Sequence, residues 1–378
     1  MMKQYNIPLL PLPYDLESIK ILKQLSKSHR RLAELKGIAQ TIPNEQILIS
    51  TLTLQEAKDS SEVENIVTTQ DDLYKAGLDF KQEFINASTK EVLAYREAID
   101  KGFRLVRDKG LLRNNDIKEI QSVLENNTAG FRTVPGTKLK RNDGETVYTP
   151  PQDGGQILSY MQNLEEFINN DELCDLDPLV KMAIIHHQFE SIHPFYDGNG
   201  RTGRIVNVLY LVMSGLLDLP ILYLSRYITH NKAEYYRLIQ AIRDGDDNNQ
   251  KEWEDWIIFI LKGIEETAEE TIRLVKGISE LMNQYKLVLK PLFGKQYKHE
   301  LLNNLFFHPY TKIEYMERDM MVERRTASKY LDRIMNAGLL QKAKIVNSNY
   351  YINIGLVRLF MNHTELSEAL PTIESISE

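Results

Sequence analysis

The stretch IHPFYDGNGRTGR, residues 192–204, is the most informative part of this sequence for its fold and its chemistry. It follows an apolar run that contains Ile184, Ile185 and Phe189. Its polar positions hold a histidine, an aspartate, an asparagine between two glycines, and two arginines. A turn between two helices needs only one or two turn-forming residues. The composition therefore indicates a binding loop rather than a simple connection.

The second half of this stretch has the properties of a phosphate site. Gly198 and Gly200 can adopt positive φ and present consecutive backbone N–H groups to an anion. A helix predicted to start near Arg201 directs the positive end of its dipole to the same place. Arg201 and Arg204 are three positions apart, which puts both guanidinium groups on one helix face. We therefore predict that this loop binds phosphate groups.

The first half adds groups that carry out chemistry. Asp197 is an acid beside the phosphate site, and Mg²⁺ binds through one or two carboxylates plus substrate phosphates. His193 has a side chain that can accept a proton from a hydroxyl near neutral pH. Together these groups predict a nucleotidyl or phosphoryl transfer site. A zinc site at His186, His187 and His193 is disfavoured, because adjacent histidines point to different helix faces and no cysteine or His-x-x-x-His spacing supports it.

The composition of the whole chain limits its class. Of the 378 residues, 42% are hydrophobic and 26% are charged, and the net charge of −7 excludes a global positive field that would gather nucleic acid. The single cysteine, Cys174, excludes an internal disulfide framework and is typical of a reducing compartment. The N-terminus is not typical of a signal peptide, and no run approaches the roughly 18 apolar residues of a membrane span. We therefore predict a cytoplasmic protein without a membrane partner.

Apolar residues recur at intervals of three and four over most of the chain, which predicts a mainly α-helical fold. The segments with this spacing include 16–41, 92–107, 154–169, 177–192 and 205–217. Residues 130–151 differ, because alternating residues flank Asn142-Asp143-Gly144 and predict a β-hairpin. Beyond Gly294 the pattern predicts three short helices and a two-stranded wing.

The central stretch resembles the signature of the Fic family, His-Pro-Phe-x-Asp-Gly-Asn-Gly-Arg-x-x-Arg, at every fixed position. HHQFESIHPF, VYTPP, LYLSRYI and EYYRLI followed by RDGD are also similar to Fic sequences. The resemblance implies a Fic helical core with a small β-hairpin flap, an N-terminal helical region and a C-terminal winged helix-turn-helix. The expected domains are 1–109 with an inhibitory motif at 60–65, the core at 110–265, a helical linker at 266–294 and the winged-helix-like domain at 295–378.

The family resemblance also implies an activity, the transfer of AMP from Mg·ATP to a tyrosine, threonine or serine hydroxyl of a target protein. His193 would be the base, Asp197 would hold Mg²⁺, and Arg204 would hold the γ-phosphate. The remaining roles are as follows: the α- and β-phosphates on Gly198, Asn199, Gly200 and Arg201; the adenine pocket at Tyr235, Tyr236 and Arg243, with Tyr236 preferred; and the target-docking flap at Thr137, Leu139, Val147 and Tyr148.

Residues 60–66, SSEVENI, have two interpretations. After a hydroxyl-rich break in the chain, Ser61 and Glu64 would form a capping box at the start of a helix. The stretch also resembles the inhibitory motif Ser/Thr-x-x-x-Glu-Gly/Asn of the Fic family, as Ser60, Glu64 and Asn65. In that case Glu64 would pair with Arg204 and deny the γ-phosphate its partner, and this interpretation is favoured. The same glutamate could position a water that removes AMP from modified targets.

The C-terminal segment raises an alternative function, that of a DNA-binding regulator whose Fic core senses nucleotide. Arg324, Arg325 and Lys329 could meet phosphates from the second helix of a helix-turn-helix. Acidic residues interleave with them, at Glu317, Asp319, Glu323 and Asp332. A packing or protein-docking role is therefore favoured over DNA binding. A Fic phosphotransferase is a third alternative, while self-modification and homodimer formation are expectations from the resemblance alone.

Overall fold

The computed structural model describes residues 5–66, 87–141, 143–245, 249–345 and 348–362. In these ranges the chain forms fourteen α-helices and five short strands, which confirms the mainly helical fold. Asn142 of the predicted hairpin turn lies outside the described residues. No helix in the described part is long and apolar enough to cross a membrane.

The helices are distributed along the whole described chain. They are α1 (Ile19–Ala39), α2 (Glu45–Val63), α3 (Ala87–Lys109), α4 (Asn114–Glu125), α5 (Gly154–Asn169), α6 (Pro178–Ile192), α7 (Asn199–Met213), α8 (Ser225–His230), α9 (Lys232–Asp244), α10 (Gln250–Phe293), α11 (His299–Phe307), α12 (Ile313–Met320), α13 (Arg324–Asn336) and α14 (Ile354–Asn362). The strands are β1 (Leu139–Lys140), β2 (Thr146–Tyr148), β3 (Tyr310–Thr311), β4 (Gln341–Ile345) and β5 (Ser348–Ile352).

The chain divides into two compact units. The first unit consists of the described residues of 1–36, 53–68 and 86–269, and the second of those of 37–52 and 270–378. Helix α10 belongs to both units, and the linker expected at 266–294 lies almost entirely within this one helix. It passes through Pro291 and ends at Phe293. The bounds of the four domains expected from the sequence remain predictions.

Helices α6 and α7 form the centre of the first unit. Asp177 caps α6 by accepting a hydrogen bond from the backbone N–H of Leu179, and Pro178 occupies the first turn, where its missing N–H costs nothing. Almost every residue of both helices is buried, as the apolar sequence on all helix faces requires. Trp256 of α10 donates its indole N–H to the carbonyl of Ala183 at 2.8 Å. The loop between α6 and α7 is therefore held at both ends by buried helices.

The predicted β-hairpin of the first unit is confirmed. Strand β1 pairs antiparallel with β2, with Leu139 opposite Tyr148 and Lys140 opposite Thr146. The register shifts between Leu139 and Lys140. Tyr148 is buried at the base of the hairpin, whereas Lys140 is exposed.

The second unit contains the predicted short helices and two-stranded wing, formed by α11, α12 and α13 followed by β4 and β5. The short strand β3, which the sequence pattern did not predict, pairs with the other edge of β5 to give a three-stranded sheet. The Tyr285 hydroxyl donates to the carbonyl of Leu339 at 2.8 Å and lies 2.6 Å from Oδ1 of Asn353. This buried tyrosine ties α10 to the segments before and after the wing.

Candidate active site

His193 has an unusual backbone conformation. It follows the last residue of α6 with φ 49° and ψ 60°, in the left-handed region, and its N–H donates to the carbonyl of Phe189 at 2.9 Å. Residues other than glycine adopt this conformation in only a few per cent of cases, and surrounding contacts must hold it in place. The imidazole of the predicted base therefore leaves the helix at a sharply defined turn.

Side chains from elsewhere in the first unit satisfy the carbonyls at this helix end. The last carbonyls of an α-helix have no partner within the helix. Here Arg243 Nη2 donates to Glu190 O at 3.0 Å, Tyr148 Oη to Ser191 O at 2.8 Å, Arg132 Nη2 to Ile192 O at 3.2 Å and Arg132 Nε to His193 O at 2.6 Å. Two cations at the negative end of the helix dipole also stabilise α6. These contacts fix the turn that carries His193.

Three residues, Arg132, Tyr148 and Arg243, make these four hydrogen bonds. Arg132 was not predicted as a site residue, although it is fully buried and makes two of the four bonds. Tyr148 was predicted for target docking and Arg243 for adenine binding, yet both also cap α6. The guanidinium of Arg243 stacks on the Tyr148 ring at 4.0 Å. The sequence carried no local signal for this capping, because the three donors are far from α6 along the chain.

The motif loop is closed by its own asparagine. The side chain of Asn199 accepts a hydrogen bond from the N–H of Phe195 at 2.8 Å and donates to its carbonyl at 2.9 Å. Phe195 is fully buried and packs on Phe131, with 5.2 Å between ring centroids. Gly198 has φ 75° at the N-terminus of α7, a conformation that suits glycine. The loop therefore presents the start of α7 in a fixed geometry.

Asp197 is the exposed acid of this loop. Its Oδ1 accepts a hydrogen bond from the N–H of Gly198 at 2.7 Å. No group of three or more histidine, cysteine, aspartate or glutamate side chains in the described part of the chain is arranged to hold a metal ion. A single carboxylate fits Mg²⁺ that takes its other ligands from nucleotide phosphates and water.

The histidines of α6 differ in their surroundings. His186 Nε2 lies 2.8 Å from the Tyr235 hydroxyl, and His187 Nε2 lies 3.3 Å from the carbonyl of Ile239. Both rings are buried, and burial lowers their pKa values. His193 is half-buried and faces the cavity described below.

The pKa of His193 is lowered to about 3, chiefly by burial and further by the positive charges of Arg243 and Arg132. The imidazole is therefore neutral at physiological pH, which is the form that can accept a proton. Both cations that lower its pKa are also caps of α6. The structure thus couples the position of the base to its protonation state.

A cavity of about 1200 Å³ in the first unit collects many of the predicted site residues. Those on its lining are Glu64, Asn65, Leu139, Val147, His193, Gly200, Arg204, Tyr235, Tyr236 and Arg243. Other predicted residues do not line it: Ser60, Thr137, Tyr148, Asp197, Gly198, Asn199 and Arg201. One space is therefore lined by the predicted inhibitory motif, the hairpin, α9 and residues of the central motif.

The two tyrosines of α9 play different parts in this lining. Tyr235 is 2% exposed and its hydroxyl is engaged by His186. Tyr236 is 46% exposed, and its ring meets that of Tyr235 edge to face at 5.2 Å. Of the two rings, that of Tyr236 is accessible to a planar ligand, and its role in adenine binding stays a prediction.

Arg204 is held by the end of α2. Its Nε donates to Ser60 Oγ at 2.8 Å, and its Nη2 donates to Ser60 O at 2.9 Å and to Glu64 Oε1 at 3.0 Å. The Arg204 side chain is only 2% exposed. Burial alone would lower its pKa, but Glu64 and neighbouring groups raise it. The guanidinium is therefore charged, and it donates to Ser60 and Glu64 of the segment that the sequence predicts to be inhibitory.

The capping-box interpretation of Ser61 and Glu64 is wrong, and so is the predicted break at Ser60 and Ser61. Helix α2 runs through both serines and ends at Val63, so Glu64 follows a helix rather than starting one. The N–H groups of Glu64 and Ile66 both donate to Ser61 O, and Asn65 has φ 64°. An asparagine in the left-handed region is a usual helix end. Arg204 stabilises this last turn by binding Ser60, which overrides the weak helix preference of serine.

Arg201 is also engaged by carboxylates. Its Nη1 lies 3.0 Å from Glu91 Oε2 of α3, and its Nη2 lies 2.9 Å from Glu125 Oε1 at the end of α4. Neither acid was predicted as a site residue. Nothing in the local sequence indicated them, because they are 110 and 76 positions away from Arg201.

In the second unit, the charges predicted to contact DNA lie on the surface of α13. Arg324 is 2.8 Å from Glu314 and 3.5 Å from Glu317, so carboxylates partly neutralise it. Arg325 and Lys329 are exposed. DNA binding by this unit stays a prediction.

Profiles of known families match three segments of the chain. A Fic/DOC family N-terminal profile matches residues 22–104, and a Fic/DOC family profile matches 111–211. A profile described as protein adenylyltransferase SoFic-like, C-terminal domain, matches 281–356.

Curated proteins similar to this chain share about a quarter of the aligned residues or fewer. The protein adenylyltransferase fic-1 of Caenorhabditis elegans is 25% identical over 164 residues, which cover 42% of this chain and 31% of the relative. The protein adenylyltransferase Fic of Drosophila willistoni is 22% identical over 212 residues, which cover 56% of this chain and 36% of the relative. The matched region thus spans about a third of the length of these relatives.

Solved structures show the same fold. A Fic family protein from Desulfovibrio desulfuricans aligns with a TM-score of 0.55 at 16% identity, over 90% of this chain and 97% of that protein. Residues 134–508 of Fic-1 from Caenorhabditis elegans align with a TM-score of 0.50 at 19% identity, over 66% of this chain and 71% of that one. The solved structures show the fold, and the two matched profiles show that the chain contains Fic/DOC family domains at residues 22–104 and 111–211, the second of which includes the intact motif.

Proposed function

We propose that this chain is a protein adenylyltransferase that transfers AMP from Mg·ATP to a tyrosine, threonine or serine hydroxyl of a target protein. The matched Fic/DOC family domains and the names of the curated relatives support this activity. The observation that carries the proposal is the cavity in which neutral His193 lies with Gly200 and Arg204, while Glu64 occupies Arg204. We further propose that this contact holds the enzyme inactive.

In the proposed reaction, His193 accepts the proton of the target hydroxyl. The hydroxyl oxygen forms a bond to the α-phosphorus of ATP, and the bond from that phosphorus to the α–β bridging oxygen breaks. Pyrophosphate leaves and AMP remains on the target. The lowered pKa of His193 keeps the imidazole neutral before the reaction, and the helix dipole of α7 with the nest of N–H groups stabilises the phosphate charge.

The other predicted residues would position the substrates. Asp197 would hold the Mg²⁺ that neutralises charge on the α- and β-phosphates, beside Arg201. The accessible ring of Tyr236 would stack on adenine. An extended segment of the target would add to the hairpin near Leu139, where main-chain hydrogen bonds give register.

The proposed inhibition follows from the partners of Arg204. A γ-phosphate that needs this guanidinium must displace Glu64, and a buried arginine that loses its carboxylate is strongly destabilised unless another anion replaces it. Glu64 is 36% exposed, so the acid can leave to solvent more easily than the arginine can. Exchange of Glu64 for phosphate would therefore switch the enzyme on.

The test is labelling with radioactive ATP in a cell lysate. We expect Glu64→Gly to raise labelling by at least about tenfold, the effect of about 1.4 kcal/mol less competition for Arg204. His193→Ala in the same background should abolish labelling while nucleotide binding persists. Glu62→Gln, which removes a partly exposed acid of α2 that lies 3.7 Å from Lys58 and does not contact Arg204, is the matched control and should behave like the unaltered protein.

Mass spectrometry of the labelled product distinguishes the competing transferases, because adenylyl and phosphoryl adducts differ plainly in mass. A phosphoryl adduct would favour the phosphotransferase alternative. No increase in labelling for Glu64→Gly would refute the inhibitory role of Glu64. A labelled band of the protein itself would reveal self-modification, and loss of label on prolonged incubation only when Glu64 is present would indicate the reverse reaction.

A further inference from the structure

Both glycines of the Gly198-Asn199-Gly200 nest lie against a carboxylate. A Cβ atom built on Gly200 would be 2.3 Å from Glu64 Oε1, and one built on Gly198 would be 2.3 Å from Glu125 Oε1. Non-bonded atoms do not approach so closely, so each carboxylate occupies the space that a side chain at the glycine would need. Glu64 covers one side of the nest and Glu125 covers the other.

Each of these acids also engages one arginine of the motif. Glu64 pairs with Arg204 at 3.0 Å, and Glu125 pairs with Arg201 at 2.9 Å. The side chain of Arg201 is 6% exposed and that of Glu125 is 12% exposed. Glu125 is therefore buried more fully than Glu64, whose side chain is 36% exposed. The nest and both guanidinium groups are thus occupied by protein carboxylates.

The described contacts of Glu125 centre on Arg201. Its Oε1 is buried and makes no hydrogen bond of good geometry with any residue that the structure describes, beyond the ionic contact with Arg201. Burial raises the pKa of Glu125 while Arg201 lowers it, and the nearby acids Asp197, Glu91 and Glu64 raise it further. The carboxylate is therefore crowded by other acids and held by one arginine at an anion site.

We propose that Glu125 is a second inhibitory acid, which takes the place of a nucleotide phosphate at Arg201 and the Gly198 side of the nest. The inference rests on the proposed function, in which Arg201 and the nest bind the α- and β-phosphates. Glu125 Oε1 lies against Gly198 and 2.9 Å from Arg201 Nη2, so a nucleotide phosphate that takes this place must displace Glu125. The site therefore has two separate locks, with Glu64 acting at the γ-phosphate and Glu125 acting at the α- and β-phosphates.

The alternative is that Glu125 only orients Arg201 for nucleotide binding. The two roles predict effects of opposite sign. Removing the charge of an inhibitory acid tightens nucleotide binding, whereas removing the charge of an orienting acid weakens it. Glu125→Gln keeps the size of the side chain and an oxygen that can accept from Arg201, so it tests charge rather than packing.

Binding of Mg·ADP and of a non-hydrolysable Mg·ATP analogue, measured by calorimetry on the full chain, separates the two locks. ADP lacks the γ-phosphate that Glu64 opposes. We expect Glu125→Gln to tighten ADP binding by about tenfold even with Glu64 intact, because a neutral amide competes less strongly for Arg201 than a charged carboxylate does. Glu64→Gly should tighten binding of the ATP analogue much more than that of ADP, and the double variant should show both gains.

Glu119→Gln is the matched control, because Glu119 lies on the same helix but pairs with Lys101 at 2.6 Å. It should leave both affinities unchanged, and thermal melting should show all variants folded. Unchanged or weaker ADP binding by folded Glu125→Gln would overturn the inference while leaving the proposed function intact, provided that Glu64→Gly binds the ATP analogue. If no variant binds either nucleotide, the proposed function fails and the inference fails with it.

Discussion

Four arginines near the motif of the first unit are buried, whereas Arg318 and Arg324 of the second unit lie at the surface. Arg132, Arg201, Arg204 and Arg243 of the first unit are at most 6% exposed. In the second unit, the side chain of Arg324 is 62% exposed and pairs with surface carboxylates. Arg318 of the same unit is likewise 62% exposed and lies 2.8 Å from Asp319.

This difference shows where the molecule concentrates electrostatic energy. Moving a charge out of water is costly unless partners replace its hydration, so a buried arginine binds its partners strongly and responds to any competitor. An exposed pair is screened by solvent and contributes little. Buried charges of the first unit can therefore act in a switch, whereas the surface pairs of the second unit are expected to be replaceable. Three substitutions test this contrast.

The largest effect is expected for Arg132→Leu. The substitution leaves the carbonyls of Ile192 and His193 without a donor and removes a cation from the end of α6. Urea unfolding should show a loss of about 3 kcal/mol, the range for buried groups left unsatisfied. Transfer activity in the Glu64→Gly background should also fall, because the turn at His193 relaxes. Arg141→Leu, which alters an exposed arginine of the hairpin, is the control and should be close to neutral.

A smaller, pH-dependent effect is expected for Glu56→Gln. Glu56 is fully buried two helical turns before Glu64, and it accepts hydrogen bonds from the hydroxyls of Tyr95 and Ser225. Burial raises its pKa from 4.5 to about 8. The folded protein therefore holds a proton that the unfolded chain releases, so stability is fully present below pH 4.5 and is lost as the pH rises through 8.

Glutamine cannot ionise, so Glu56→Gln should remove this pH dependence. Urea midpoints at pH 5 and pH 8.5 provide the measurement: the variant should gain on the unaltered protein at the higher pH and much less at the lower one. Glu62→Gln, at a partly exposed position of the same helix, should give the same small difference at both pH values. A Glu56→Gln variant that is less stable at both pH values would show that the carboxyl group itself is required.

The smallest effect is expected for Arg324→Ala. Because this arginine is exposed and paired only at the surface, its removal should leave the urea midpoint unchanged within error. A gel shift with duplex DNA on the same variant tests the regulator alternative. If the unaltered protein binds DNA and Arg324→Ala does not, the regulator alternative is supported and the surface charge of Arg324 is functional. If Arg324→Ala instead loses as much stability as Arg132→Leu, buried and exposed arginines do not differ in their contribution to stability.

The parts of the site that are contiguous in sequence were accessible to prediction. His193, Asp197 and the Gly198-Asn199-Gly200 turn fall within one loop, and their chemistry can be inferred from residue types and short-range backbone rules. The hairpin around residue 142 was predicted for the same reason, because alternation and turn residues are local signals. The capping-box prediction failed because the local pattern Ser61-x-x-Glu64 fits the start of a helix, whereas α2 continues through Ser61 to Val63. The contact that stabilises this last turn, from Arg204 to Ser60, comes from a distant part of the chain.

The sequence alone was enough to predict a mainly helical chain with a hairpin, a phosphate-binding loop between two buried helices, and a contact of Glu64 with Arg204; the structure confirms the helices, the hairpin and the contact, while phosphate binding stays a prediction. The groups that surround this loop become known only from the tertiary structure. Arg132, Tyr148 and Arg243 cap α6, and Glu125 covers Gly198, from positions that no periodicity connects to the motif. The physical reason is that local backbone preferences act over a few residues, whereas the partner of a buried charge is chosen by the folding of distant segments around it.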